Sequence, residues 1–413
     1  MNAESIINAL KNGNVPPEGV GEICVGRERE LEEFDKIFSK VKDGAAVTRF
    51  LNGEFGSGKS FFLKLLEERA LADNFVVAKV TLSRDVPFNK FEVVYRSIVA
   101  SLRCKTGTSL EHIIEKWTTQ LRMMALMETS DPYQQERIVI DNINNDLKEV
   151  RKHATTFAAA IENYYKLSAR GDQETAKYAM AWLSGEKNIP YTIKRQFGVK
   201  GDIDRENAFK YLEALSSFLR ALKYSGLIIL IDEAEHIMTL HTKKLRDTAY
   251  DYMRFIYDEC SLGRFHNTLF IFAGTPEFFE DPKMGVPSYT ALNERIEDVL
   301  NTEFKDLRKP IIRLDGFKKD NLMELSDRLI SMHEEVYEWE AKPVRESLDG
   351  IIARHEANAE LTGYISPRNF VKSFISVLDV VQQNPELRSE EEILDLFEEK
   401  EMEFEEFEDE DWV

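Results

Sequence analysis

Gly53-Glu54-Phe55-Gly56-Ser57-Gly58-Lys59-Ser60 decides how this 413-residue chain is read. The spacing is G-x-x-x-x-G-K-[ST], in which glycines let backbone N–H groups turn inward around a polyphosphate. A lysine then supplies positive charge, a hydroxyl supplies a metal ligand, and the N-terminus of the next helix adds its positive dipole end. The flanks fit this reading. Upstream, Val47-Thr-Arg-Phe-Leu51 has the pattern of a strand, and downstream Ser60 to Ala70 repeats apolar residues at helical spacing. Strand, loop and helix in that order are the context the motif needs. The stretch predicts a nucleoside triphosphate site lined by Gly53, Glu54, Phe55, Gly56, Ser57, Gly58, Lys59, Ser60 and Phe61, with Ser60 a ligand to Mg2+.

Working outward, four more short apolar runs read as strands: Phe75 to Leu82, Leu227 to Ile231, Thr268 to Ala273 and Pro310 to Leu314. Continuous β-branched runs separated by helical segments predict an α/β fold, a five-stranded parallel sheet covered on both faces. About 145 residues separate the second and third runs, far more than a crossover needs. Leu110–Leu126, Gln134–Leu167 and Glu174–Leu183 are poor in glycine and proline and read as helices, so a helical insertion is placed at 105–200. Its last part, Trp182 to Pro190, reads as a helix stop followed by a linker. The expected organisation is a polar, turn-rich lead-in over 1–22, a nucleotide-binding core over 23–316, a helical lid over 317–388 and an acidic tail over 389–413.

Composition bounds the partners. Of the net charge of −20, Glu390 to Asp411 carries fourteen acids against Lys400, which leaves −7 on the rest of the chain. A mildly acidic body argues against a broad nucleic-acid face, though a local basic strip can still touch DNA. The tail's acids alternate with Ile393, Leu396, Phe397, Phe404, Phe407 and Trp412, a solubilising tail or a partner-docking segment. Apolar runs fall short of the ~20 residues a membrane helix needs, and the start lacks a secretory pattern. Cys24, Cys104 and Cys260 are widely spaced and read as core residues in a reducing, cytoplasmic setting.

Phosphoryl transfer needs a second carboxylate to hold the metal, and an acid at the end of a buried strand is placed for it. Asp232, after Leu227-Ile-Ile-Leu-Ile231, is that residue, and Glu233 beside it can polarise an attacking water. The plain alternative is that both merely favour a helix start. Thr275, after the fourth run, either orients that water or caps the helix that Pro276 opens. Arg368, Arg295 and Arg264 are the candidate phosphate-stabilising arginines, with Arg368 in the first turn of a lid helix. His236 and His241 lack metal-ligand spacing.

Taken in this order, these motifs resemble those of AAA+ ATPases within the P-loop NTPases. Ile23-Cys-Val-Gly26-Arg27-Glu28-Arg-Glu30 is similar to the segment that precedes the sheet in the origin-recognition-like and signalling (STAND) branches. The resemblance implies that Gly26 and Arg27 border the adenine, that Gly53 to Ser60 is Walker A, and that Asp232 and Glu233 are Walker B. It further implies that Thr275 is sensor 1, Arg368 sensor 2, and Arg295 a finger reaching a neighbouring subunit of a homo-oligomer. More narrowly, the Walker A stretch with Trp182-Leu-Ser-Gly-Glu186, Ala273-Gly-Thr-Pro-Glu-Phe-Phe279 and Ser366-Pro-Arg-Asn-Phe370 resembles BREX (bacteriophage exclusion) ATP-binding proteins of the BrxD type. That likeness spans about residues 20–388. It implies ATP and Mg2+ as ligands and ATP hydrolysis in anti-phage defence, with a helicase or other defence components as partners. A nucleotide-gated switch with little turnover is the alternative, and a small-molecule kinase a third reading.

Overall fold

The structure is a computed structural model that describes residues 3–297, 306–362 and 366–410. Its centre is one all-parallel sheet of five strands in the order β2-β3-β4-β1-β5. The strands are β1 (Ala46–Asn52), β2 (Val76–Thr81), β3 (Leu227–Asp232), β4 (Thr268–Gly274) and β5 (Ile311–Arg313). All five expected runs are strands. β3 and β4 are buried at every position, as a sheet covered on both faces requires, and pair in register with Ile229 opposite Phe270. β2 pairs with β3 so that Thr81 stands opposite Asp232. Parallel strands put their carboxyl ends on one edge, so β3 delivers Asp232 and β4 delivers Gly274-Thr275 to the same side of the sheet.

The chain divides into two compact units. The larger consists of Phe34–Leu51 and Arg69–Ile312 and contains the sheet and the long helical segment between β2 and β3. Its core is contiguous. Phe50 stacks on Phe272 with ring centres 5.4 Å apart, Phe88 meets Phe272 edge-on at 5.5 Å, and Trp117 meets Phe218 edge-on at 5.4 Å, so strands and inserted helices share one apolar interior. The expected helical stretch 134–167 is three helices, Pro132–Asp146, Lys148–His153 and Thr155–Ala169. The breaks have a physical cause: Arg151 reaches back to the Asn144 carbonyl (2.9 Å) and side chain (2.6 Å) and forward to Glu162 (2.8 Å), tying three short helices around one guanidinium. Trp182 and Leu183 end a helix whose exit is fixed: Tyr95 donates to the Leu183 carbonyl at 2.8 Å and Trp182 to that of Gly201 at 3.1 Å. Cys104 and Cys260 are buried and all three cysteines are free thiols.

The smaller unit consists of Met1–Glu33, Asn52–Glu68 and Arg313–Val413. Residues 3–11, read from sequence as polar lead-in, form a helix whose Ile6 and Ile7 are buried with Leu329, Phe374 and Leu378. Only residues 12–19 remain turn-like. The acidic segment begins as a helix, Glu390–Glu410, docked through buried Ile393 and Phe397; Arg354 pairs with Asp395 (2.9 Å) and Glu398 (2.8 Å), and His355 bonds buried Glu401. Trp412 lies outside the described residues. No described helix is long and apolar enough to cross a membrane.

Candidate functional site

The loop after β1 carries the shape its sequence predicts. Gly56 and Gly58 take φ of +74° and +90°, backbone that residues with a Cβ seldom adopt. A Cβ on Gly53 would stand 2.5 Å from Ser57 Oγ, and one on Gly56 2.4 Å from Ser366 Oγ. Glycine is therefore a packing requirement as well as a conformational one. Helix Lys59–Ala72 opens directly from the loop, with Phe62 N–H bonded to the Gly58 carbonyl at 2.8 Å. Lys59, 8% exposed, folds back over its own loop and donates to the carbonyls of Gly53 (2.7 Å) and Glu54 (3.0 Å). Ser60 and Phe61 are half-buried on the helix's first turn, and Phe55 is exposed at the loop tip.

Arg27 braces this loop. Its buried guanidinium donates to the carbonyls of Ser57 (3.3 Å) and Asp315 (2.8 Å) and lies 5.3 Å from the centre of the Phe317 ring. Gly26, with φ +63°, has no room for a side chain: a Cβ there would meet Asn321 Nδ2 at 2.4 Å. Asn321 in turn accepts from Lys318 N–H at the start of helix Lys319–Tyr337. The Gly26-Arg27 pair thus joins the loop to the start of the C-terminal helices. Those helices also touch it directly, because Ser366, the N-cap of helix Pro367–Gln383, sits on Gly56, and Arg368 Cβ lies 3.9 Å from where a Gly56 Cβ would be.

In the larger unit, Asp232 ends β3 with its carboxylate buried. Oδ1 accepts the Glu233 N–H at 3.1 Å, and Oδ2 lies 3.4 Å from Lys79 Nζ. Lys79 was missed by sequence reasoning, though a lysine inside the apolar run Val76–Thr81 is the signal that marks it. Glu233 sits in the left-handed region at φ 59°, ψ 44°, a strained backbone for a residue with a Cβ. Thr275 is the N-cap residue of the short helix Pro276–Glu280, yet its side chain makes no capping bond. It thus holds the expected N-cap position before Pro276 but leaves its hydroxyl unused by the helix. Gly274 accommodates Phe278 and Glu235: a Cβ there would lie 2.9 Å from the Phe278 ring and 3.4 Å from Glu235 Oε2. Arg295 is held by Asp258 (2.5 Å) and Arg264 by Glu259 (3.0 Å). Among the described residues no three His, Cys, Asp or Glu side chains gather into a metal site, His236 and His241 included.

A family profile described as BREX system ATP-binding protein BrxC/D matches residues 1–396. The chain belongs to the BrxC/D family. It is an ATP-binding protein of the BREX system by that membership. No curated protein matches the chain. The matched span runs from the first helix into the C-terminal one, so it takes in the Ala3–Lys11 helix and the buried residue Ile393. The features that fit ATP in this BrxC/D chain are the cradle that any Cβ would fill at Gly53 and Gly56 and the buried cation Lys59 above it.

Proposed function

We propose that this BrxC/D-family protein hydrolyses ATP with magnesium and that the hydrolysis serves anti-phage defence together with DNA-processing partners such as a helicase. In this reading the backbone from Gly53 to Ser60 wraps the phosphates, Lys59 exchanges its loop carbonyls for phosphate oxygens, and Gly26, Arg27 and Phe61 border the nucleotide. Ser60 and Asp232 would hold a magnesium ion, whose charge would offset that of the phosphates; a hydroxyl and a carboxylate are oxygen donors of the kind that ion takes. Glu233 accepts the proton of the attacking water, Thr275 orients that water, and Arg368 steadies the phosphate being released. Arg295 is the finger of a neighbouring copy if the protein assembles, after leaving Asp258.

The observation that carries the proposal is the left-handed Glu233 directly after buried Asp232. Such backbone costs roughly 1–3 kcal/mol, and although Lys223 and Glu338 adopt it at helix ends, only at Glu233 among the described residues does it follow a buried acid at the end of a central strand. The test is phosphate release at neutral pH. Turnover by wild type, with Lys59→Ala and Glu233→Gln each reduced at least about a hundredfold, is expected; a fully active Glu233→Gln protein sinks the assignment.

A second reading, a nucleotide-gated switch with little turnover, has one observation in its favour. Lys79 Nζ lies 3.4 Å from Asp232 Oδ2 and so competes with magnesium for that oxygen. If that pairing sets a low basal rate, Lys79→Met raises turnover without any partner. Unchanged turnover in Lys79→Met removes this support.

A further inference from the structure

The helix Ala3–Lys11 ends at Gly13 in a Schellman turn. Gly13 N–H bonds the Leu10 carbonyl and Asn14 N–H the Ala9 carbonyl, both at 2.9 Å, with Gly13 at φ +67°. The Arg368 guanidinium and the aliphatic stem of Lys372, both from the lid helix Pro367–Gln383, lie against this turn. A Cβ on Gly13 would stand 3.0 Å from Arg368 Nε, 3.3 Å from its Nη2, and 3.1 Å from Lys372 Cδ. Arg368 and Lys372 are four apart on one helix face, and the end of a helix where carbonyls lack partners is its negative pole. Among the described residues no acidic side chain holds the Arg368 guanidinium, which is otherwise exposed. The base of the same side chain sits over Gly56 in the phosphate-binding loop.

The short N-terminal helix is itself anchored to the lid. Ile6 and Ile7 are buried in the lid core. Lys11 pairs with Asp379, which accepts from buried His333 Nε2 at 3.2 Å, while His333 Nδ1 accepts the indole N–H of Trp339 at 2.9 Å. The acceptor role of Nδ1 places the ring proton on Nε2 and so orders the chain Trp339, His333, Asp379, Lys11.

We propose that this N-terminal helix and its Gly13 turn are a positioning device for Arg368: they give the guanidinium a fixed rest beside the loop and thereby set how well it meets the terminal phosphate of ATP. Gly13 is a positioning residue because it alone leaves room for the side chain it supports. Any residue with a Cβ pushes against Nε. The inference rests on the reading of Arg368 as the phosphate-sensing arginine, and the experiment separates the two.

Binding of a fluorescent ATP analogue and its ADP counterpart is measured on full-length protein for Arg368→Ala, Gly13→Asn, Lys11→Gln, Lys11→Arg, and Arg368→Ala combined with Gly13→Asn. Asparagine tolerates the left-handed backbone, so Gly13→Asn keeps the turn while crowding the guanidinium. Arg368→Ala is expected to lower ATP affinity roughly tenfold with ADP affinity unchanged, the size of one charged hydrogen bond. Gly13→Asn and Lys11→Gln are expected to lose about threefold for ATP only, and Lys11→Arg to restore it. In the Arg368→Ala background Gly13→Asn adds nothing. If Arg368→Ala leaves ATP and ADP binding unchanged, the arginine's assignment is wrong and the positioning proposal goes with it. If Arg368→Ala acts but both arm variants bind like wild type, the arginine's role stands and the positioning proposal is overturned. It is also overturned if the Gly13→Asn loss persists in the Arg368→Ala background. Lys11→Gln, which loosens the arm without a clash, keeps the test decisive should Gly13→Asn fail to fold.

Discussion

Exchanging Lys59 for methionine separates nucleotide binding from folding. Methionine keeps the length of the buried stem but removes the ammonium and its bonds to the Gly53 and Glu54 carbonyls at 2.7 and 3.0 Å. Each charged hydrogen bond contributes on the order of 1.5–3 kcal/mol. Against that loss stands the relief of a desolvated ammonium, several kcal/mol per buried ion. The two nearly cancel, and the nucleotide-free protein is expected to change stability by less than about 2 kcal/mol. ATP binding has no such compensation. At a hundred times its Kd, ATP stabilises the wild type by about 2.7 kcal/mol, or roughly 5–10 °C of melting temperature for units of this size. A hundredfold weaker Kd at the same ATP concentration leaves about 0.4 kcal/mol, a shift of about 1 °C. Thermal melting with and without ATP reads both quantities in one experiment. Should Lys59→Met keep the full ATP-dependent shift, the phosphates do not lie on Gly53 to Ser60. Should the nucleotide-free melting point itself fall by 10 °C, the cancellation argued above is wrong.

Glu213, half-buried and near Glu259, is pushed up to about 7 by burial first and by the neighbouring carboxylate second. A raised carboxyl lets the unfolded chain release its proton first, so stability from this group is full below the ordinary value of 4.5 and falls as pH rises toward about 7. Glu213→Gln is therefore expected to raise the melting temperature at pH 8 and not at pH 4; an equal gain at both pH values would refute the coupling. Asp379 has the opposite sign. Burial works to raise its pKa, yet the bonds from His333 and Lys11 outweigh it and hold the carboxyl below its ordinary 3.8. Its contribution is present above pH 3.8 and is lost as pH falls through the depressed value, so Asp379→Asn should melt lower than wild type at pH 7 and converge with it at the acid end.

The sheet was legible because buried parallel strands must be continuously apolar, and the five runs leave little else to be strands. The loop was legible because its glycines answer to geometry: Gly53 and Gly56 face Ser57 and Ser366 too closely for any other residue. Asp232 followed from its place at the end of the most apolar run. What escaped was held by contacts that a linear pattern cannot display. The Ala3–Lys11 helix is only nine residues long, too short to hold by itself, and burial of Ile6 and Ile7 among the C-terminal helices makes it a structural element. In the acidic segment Ile393 and Phe397 stand out in the sequence, but where they dock does not: both are buried, and Phe397 packs on Phe370 and His355. The breaks around Arg151 depend on Asn144 and Glu162 lying seven residues before it and eleven after. Lys79 escaped because a single lysine does not disturb an apolar average, although it pairs with buried Asp232 at 3.4 Å.

Each cation of the proposed reaction has a partner within the chain, and those partners are unequal. Lys59 rests on two neutral carbonyls, which a phosphate oxygen outcompetes because an anion is the stronger acceptor. Arg368 rests on the carbonyl end of a helix, a partial charge of about half a unit that a terminal phosphate also exceeds. Lys79 and Arg295 differ, since each faces a full carboxylate, Asp232 and Asp258. Releasing either requires a competing full charge, a metal ion for the first and an outside anion for the second. On the proposed reading, ATP meets little resistance at the loop, while the groups proposed for hydrolysis have stronger partners to leave. On this ordering, binding and turnover are separable in the protein: Lys79→Met should change the rate of hydrolysis far more than the affinity for ATP, whereas Lys59→Met should lower both about a hundredfold or more.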